Sequence, residues 1–148
     1  MTADADRDPV SSPLDEALSR VGDRWALLIV SALLDGPRRF NDLQADVAGI
    51  APNVLSQRLR NLEQHAVVVA TPYSRRPPRF VYQLTAAGAE LAGALRLLAQ
   101  WGADQSPGTA EPFRHPACGT PMEARWYCPT CGQVEGDSAT ADDKVRFL

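Results

Sequence analysis

Two short apolar runs, VVVATPY (67–73) and FVYQL (80–84), flank the hexapeptide SRRPPR at 74–79. No other stretch constrains the fold as much. β-Branched and aromatic residues favour extended backbone, and two adjacent prolines cannot continue a ladder. The expected element is a β-hairpin whose tip projects as a stiff loop carrying Arg75, Arg76 and Arg79. Around it the apolar residues recur at helical spacing, so the chain is mainly α with one small hairpin, an α+β arrangement.

Four helices are expected before the hairpin. Leu14, Ala17, Leu18 and Val21 recur every three or four residues. RWALLIVSALLDG is apolar nearly all round and ends at Gly36, which suits the centre of a core. RRFNDLQADVAG gives a short third helix. The fourth, IAPNVLSQRLRNLEQHA, opens with Pro52 at the first helical position. It buries Leu55, Leu59 and Leu62 and turns Asn53, Ser56, Gln57, Arg60 and Asn61 outward, with Arg58 on the border. An ordinary solvated helix face mixes acids and bases, whereas this one carries no acid before Glu63. After the hairpin, Thr85 caps a fifth helix with Leu91, Leu95, Leu98 and Trp101 on one stripe, ending at Gly102.

The net charge of −3 conceals a segregation of charge. From Arg38 to Arg79 there are seven arginines against Asp42, Asp46 and Glu63, while both ends of the chain are acidic. Whole-chain charge argues against nonspecific polyanion binding, but local charge permits a focused anion-binding face. A polar-faced fourth helix behind a short third helix is a helix-turn-helix, and the hairpin is its wing. Asn53, Ser56, Gln57 and Arg60 are the expected groove contacts. Arg75, Arg76 and Arg79 are expected on the flanking backbone or minor groove. Arg38 and Arg39, at the start of the third helix, read as phosphate contacts, and Arg58 as either a phosphate contact or the partner of a core-edge acid.

GDRWALLIVSALLDGPRRFNDL, APNVLSQRLRNLE and PPRFVYQLTAAG, in that order and at that spacing, resemble the HxlR-type members of the MarR-like winged-helix regulators. The resemblance covers about residues 13–102. It implies a homodimer held by the first and last helices of the domain, a recognition helix at 52–64 and a wing at 74–79. Many relatives carry a cysteine before the proline that opens the first helix, used by some as a redox or electrophile sensor. Here that position is Ser12, and a hydroxyl is no thiolate switch. Relatives often place serine ahead of the recognition-helix proline, where this chain has Ala51, a lost cap of about 1 kcal/mol.

The three cysteines lie together near the end of the chain. His115-x2-Cys118 and Cys128-x2-Cys131 are separated by nine residues, each pair followed by glycine. Three thiolates and an imidazole at this spacing are the ligands of a closed structural zinc site. A segment of about 25 residues is too small to fold without such a staple. A Cys128–Cys131 redox pair is the alternative, but the βαβ surroundings of a thioredoxin-like motif are missing. The expected organisation is a disordered tail (1–12), a winged helix-turn-helix domain (13–103), a linker (104–112), a zinc-ribbon-like module (113–136) and a second tail (137–148).

No stretch has the apolar length of a membrane helix, and the acidic N-terminus is no secretory signal, so the expected location is the cytoplasm. No phosphate loop or nucleophile elbow is present, and four ligands would close the metal site, so no enzyme is expected. The expected function is a sequence-specific, homodimeric regulator of transcription, a repressor, binding double-stranded DNA at an inverted repeat. The rivals are a protein-interaction adaptor, with the zinc ribbon docking a protein partner, and a thiol redox sensor.

Overall fold

The computed structural model describes residues 11–106, 108 and 113–134. Of the tail expected at 1–12 only Ser11 and Ser12 are described. The tail at 137–148, residues 135–136 of the cysteine segment, and residues 107 and 109–112 of the linker lie outside the described residues. The chain divides into two compact units, Met1–Leu95 and Arg96–Leu148.

In the first unit α1 (Pro13–Val21) starts at Ser12, whose hydroxyl accepts the Asp15 amide N–H at 3.1 Å. Helix α2 (Arg24–Leu34) starts on Asp23, whose carboxylate accepts the Trp25 and Ala26 amides at 2.8 and 3.1 Å. Its buried residues Ala26, Ile29, Val30 and Leu33 follow helical spacing. Gly36, at φ +124°, turns the chain into β1 (Arg38–Arg39), and α3 (Phe40–Asp46) follows directly. Gly49, at φ +82°, leads to α4 (Pro52–Gln64). The hairpin is β2 (Val68–Arg75) and β3 (Pro78–Leu84), after which come α5 (Ala86–Ala89) and α6 (Ala92–Gln105), the last running across the boundary between the units.

One cluster holds the first unit together. Val21, Ala26, Ile29, Val30 and Leu33 from the first two helices meet Leu43, Val47, Ile50, Leu55, Leu59, Leu62, Val67 and Val68. Leu55, Leu59 and Leu62, the expected buried stripe of α4, are each at most 1% exposed. Each contributes roughly 1.5–3 kcal/mol by leaving water, so the direction of the opposite α4 face is firmly fixed. Beside this core lies an antiparallel sheet in the order β1-β3-β2. Helices around a buried α2, with a hairpin after α4, make a winged helix-turn-helix.

Three expectations change. Arg38 and Arg39 do not begin α3; they form β1 and pair with Tyr82 and Val81 of β3. The hairpin ladder runs past a bulge between Pro72 and Ser74 to Ser74↔Arg79 and Arg75↔Pro78, so the loop is only Arg76–Pro77. Pro78 is the first residue of its strand, the place where a missing N–H is tolerated. The fifth helix is two helices, interrupted at Glu90–Leu91, and the second continues past Gly102 to Gln105. Among the described residues no helix is long and apolar enough to cross a membrane.

Candidate nucleic-acid interface

Helix α4 has Pro52 at its first position and no side-chain cap from Ala51. Asn53, Gln57, Arg60 and Asn61 are exposed and Ser56 is half-buried. Arg60 Nε donates to the Ser56 carbonyl at 3.3 Å, which lays the guanidinium along the helix surface. The face therefore presents amides, a hydroxyl and one guanidinium, the groups that read base edges or bind phosphate. Arg58 differs from its neighbours. Its Nε lies 2.8 Å from Asp23 Oδ2, so a helix-cap carboxylate of α2 already holds it. That nitrogen is buried and off the axis of a directed hydrogen bond; the contact is an ion pair. Of the two roles open to Arg58 from its sequence position, the pairing with a core-edge acid is the one present.

The other arginines sort the same way. Arg38 Nε is 3.1 Å from Asp46 Oδ2. Arg39 stacks its guanidinium 4.7 Å from the centre of the Tyr73 ring, a cation–π contact. Its backbone N–H donates to Asp42 Oδ2 at 3.1 Å. Arg75, Arg76 and Arg79 are exposed, and among the described residues no carboxylate pairs with them. An unpaired guanidinium keeps its full charge for a ligand. The wing tip is thus where, among the described residues, guanidiniums stand without a carboxylate, while on α4 Arg60 is held only by a backbone carbonyl.

Between β1, the start of α3 and the wing lies an open cleft of about 510 Å³, lined by Arg39, Asn41, Tyr73, Arg79 and Phe80 among others. Tyr73 and Asn41 join the neighbourhood of the arginines here, and neither was expected from sequence. Tyr73 falls at the bulge and meets Arg39 across the sheet, a juxtaposition that no local pattern encodes. Tyr82, also on the cleft, has its phenol pKa raised by burial first and by the Glu63 carboxylate second.

In the second unit the cysteine segment forms two turns. His115 Nδ1 is 3.4 Å from Cys118 Sγ, and the Thr120 hydroxyl is 3.3 Å from the same sulfur. Hydrogen bonds from the Thr120 side chain and then its amide lower the Cys118 thiol pKa. The Cys131 amide first, and the Thr130 amide second, lower that of Cys128. All three cysteines are free and exposed. The four expected donors stand as two pairs; among the described residues no group of three or more metal-binding side chains forms.

Residues 20–109 match the family model described as HxlR-like helix-turn-helix. The uncharacterized HTH-type transcriptional regulator Rv3095 of Mycobacterium tuberculosis is 40% identical over 120 residues, covering 79% of this chain and 75% of the relative. Among solved structures, that of PA1607, a candidate transcription factor, superposes with a TM-score of 0.72 at 31% identity, covering 91% of this chain and 93% of the other. The oxidized form of the redox regulator HypR gives a TM-score of 0.58 at 28% identity, over 63% of this chain and 96% of its own.

Proposed function

The chain belongs to the HxlR-like helix-turn-helix family of transcriptional regulators, and from that premise we propose that it is a homodimeric repressor reading an inverted-repeat operator in double-stranded DNA. The observation that carries the reading is the sorting of arginines. Arg38, Arg39 and Arg58 are engaged within the protein, whereas Arg75, Arg76 and Arg79 stand exposed and without a carboxylate partner among the described residues. Asn53, Ser56, Gln57 and Arg60 line the outward face of α4, opposite its buried leucines. In this reading α4 enters the major groove, Asn53 and Gln57 contact base edges, and the wing arginines take phosphates or the adjoining minor groove.

In this reading the protein is two-fold symmetric, and uncovered apolar side chains support a second copy. Leu14 and Leu18 of α1 and Leu97, Leu98 and Trp101 of α6 are all more than 40% exposed in the single chain. Burying them against a second copy removes that surface from water. Two recognition helices related by the axis would sit about 34 Å apart, one turn of DNA, or a multiple of that. A dimer occupying a promoter in this way represses it by exclusion, in the cytoplasm where the DNA lies.

The similarity to HypR raises a redox reading. No cysteine precedes Cys118, and Ser12 works as the α1 cap through its hydroxyl. Thiol sensing would therefore have to use the exposed Cys118, Cys128 and Cys131. A substitution series separates the regulator from an adaptor that merely dimerises. Asn53→Ala and Gln57→Ala should alter which operator bases are preferred. Arg76→Ala should weaken binding to every sequence and flatten the salt slope by about one. If all three variants bind operator DNA as the parent does, α4 and the wing are not the interface, and the adaptor reading takes over.

A further inference from the structure

We infer that Phe113–Val134 is a zinc-binding module in which one Zn²⁺ ion draws together the two donor pairs, His115 with Cys118 and Cys128 with Cys131, which stand as separate pairs in this structure. The inference stands apart from DNA binding and rests on an internal repeat in the backbone.

The segment makes the same turn twice, thirteen residues apart. The His115 amide donates to the Thr120 carbonyl at 2.9 Å, and the Cys128 amide to the Gln133 carbonyl at 2.9 Å. The Gly119 amide returns to the His115 carbonyl at 2.8 Å, and the Gly132 amide to the Cys128 carbonyl at 2.9 Å. Both glycines are left-handed, at φ +70° and +71°, a conformation that L side chains rarely adopt. Each turn is closed by an antiparallel bridge, Arg114↔Pro121 in the first and Tyr127↔Val134 in the second. In each, the two donor residues are brought to the same end of the turn. Cys118 Sγ lies 3.4 Å from His115 Nδ1, and the amides of Thr130 and Cys131 point at Cys128 Sγ. Amide N–H groups directed at sulfur are the supports a metal-bound thiolate uses.

These turns have no core to hold them. From Phe113 to Gln133 every residue is exposed, and Val134 is half-buried. Phe113, Met122, Trp126 and Tyr127 are 42% to 73% exposed. Two well-defined turns without buried apolar surface need another source of folding free energy. A metal shared between them supplies it. The donor set selects zinc: three soft thiolates and an imidazole, complete at four ligands, suit a structural zinc site. Binding converts three thiols to thiolates, so three protons leave as one Zn²⁺ enters, with no electron transferred.

The test uses full-length protein, purified under reducing conditions without chelator and analysed for metal. One zinc per chain is expected. Its three thiols should resist a chromogenic disulfide reagent until a chelator strips the ion, and ZnCl₂ should restore the resistance with release of protons. Cys128→Ser and His115→Ala should each lose zinc while the far-UV circular dichroism of the winged domain persists. Should either variant fail to fold, the stoichiometry and the strip-and-restore cycle on the parent protein decide alone. A chain that carries no zinc and takes none up from ZnCl₂ overturns the inference. A reversible Cys128–Cys131 disulfide in zinc-free protein does the same.

Discussion

Gly88 sits in α5, where intrinsic propensity favours alanine over glycine by roughly 1 kcal/mol. Substitution by alanine would ordinarily stabilise such a site. The structure reverses the sign. A β-carbon at Gly88 would fall on the Val67 carbonyl oxygen, well inside contact distance. It would also meet the Val67 carbonyl carbon at 3.1 Å and Leu84 Cδ2 at 3.2 Å. Backbone cannot swing aside as a side chain can, so α5 itself must move away from the start of β2. That movement strains two bonds that tie Thr85 to the same strand entry: its N–H to the Val67 carbonyl at 3.0 Å and its hydroxyl to the Ala66 carbonyl at 2.6 Å. Two hydrogen bonds at about 1 kcal/mol each, with overpacking strain of about 1–3 kcal/mol and the propensity gain set against them, leave a loss of about 2–4 kcal/mol. For a domain of this size the melting temperature should fall by roughly 10–25 °C. Urea and thermal unfolding of Gly88→Ala beside the parent, at one protomer concentration because a dimer's stability depends on it, makes the comparison. Equal or greater stability of the alanine variant would refute the close approach of α5 to Val67.

Asp23 serves two purposes, capping α2 and holding Arg58. Asp23→Ala should therefore cost about 1–2 kcal/mol in urea melts, and Asp23→Asn, which keeps the cap, less than about 1 kcal/mol. Similar losses for the two would mean that the ion pair matters more than the cap. Arg58→Ala should leave the salt slope of DNA binding unchanged, in contrast to Arg76→Ala; a slope reduced by about one would show that Arg58 leaves Asp23 to take a phosphate. Tyr82 has a folded-state pKa above its ordinary value of 10.0. The stability that depends on its neutral phenol is fully present below pH 10 and is lost as pH rises through the folded value. The alkaline loss should be smaller in Tyr82→Phe, and equal alkaline loss in both proteins would contradict the burial of Tyr82.

Much of the winged domain is written in local patterns. The stripe Leu55, Leu59, Leu62 and the proline ahead of it mark α4 and its outward face, because burial every three or four residues admits one orientation. The hairpin is equally plain from its β-branched runs. What escaped is non-local. A strand of two residues has no periodicity to detect, and β1 is defined only by Tyr82 and Val81, more than 40 residues further on. The apolar spacing of AAGAELAGALRLL is continuous, but α5 is tied down by Thr85 and Gly88 at the start of the wing, and the helix breaks before resuming. The arginines show the same limit at the site. Charge counting marked seven of them together, but Asp23 reaches Arg58 and Tyr73 reaches Arg39 only through tertiary packing. In the cysteine segment the spacing names the donors, and the backbone adds the duplicated turn.

The most direct test of the interface is a titration of the purified protein against its own upstream DNA and a shuffled fragment of equal length, at about 0.15 M salt. A preference of about 10³-fold or more, the lower end of specific discrimination, is expected for a regulator reading bases through α4. Equal, weak binding to the two fragments, with the other promoters of the genome giving no better site, would contradict it and return the exposed wing arginines to the status of a solvated loop.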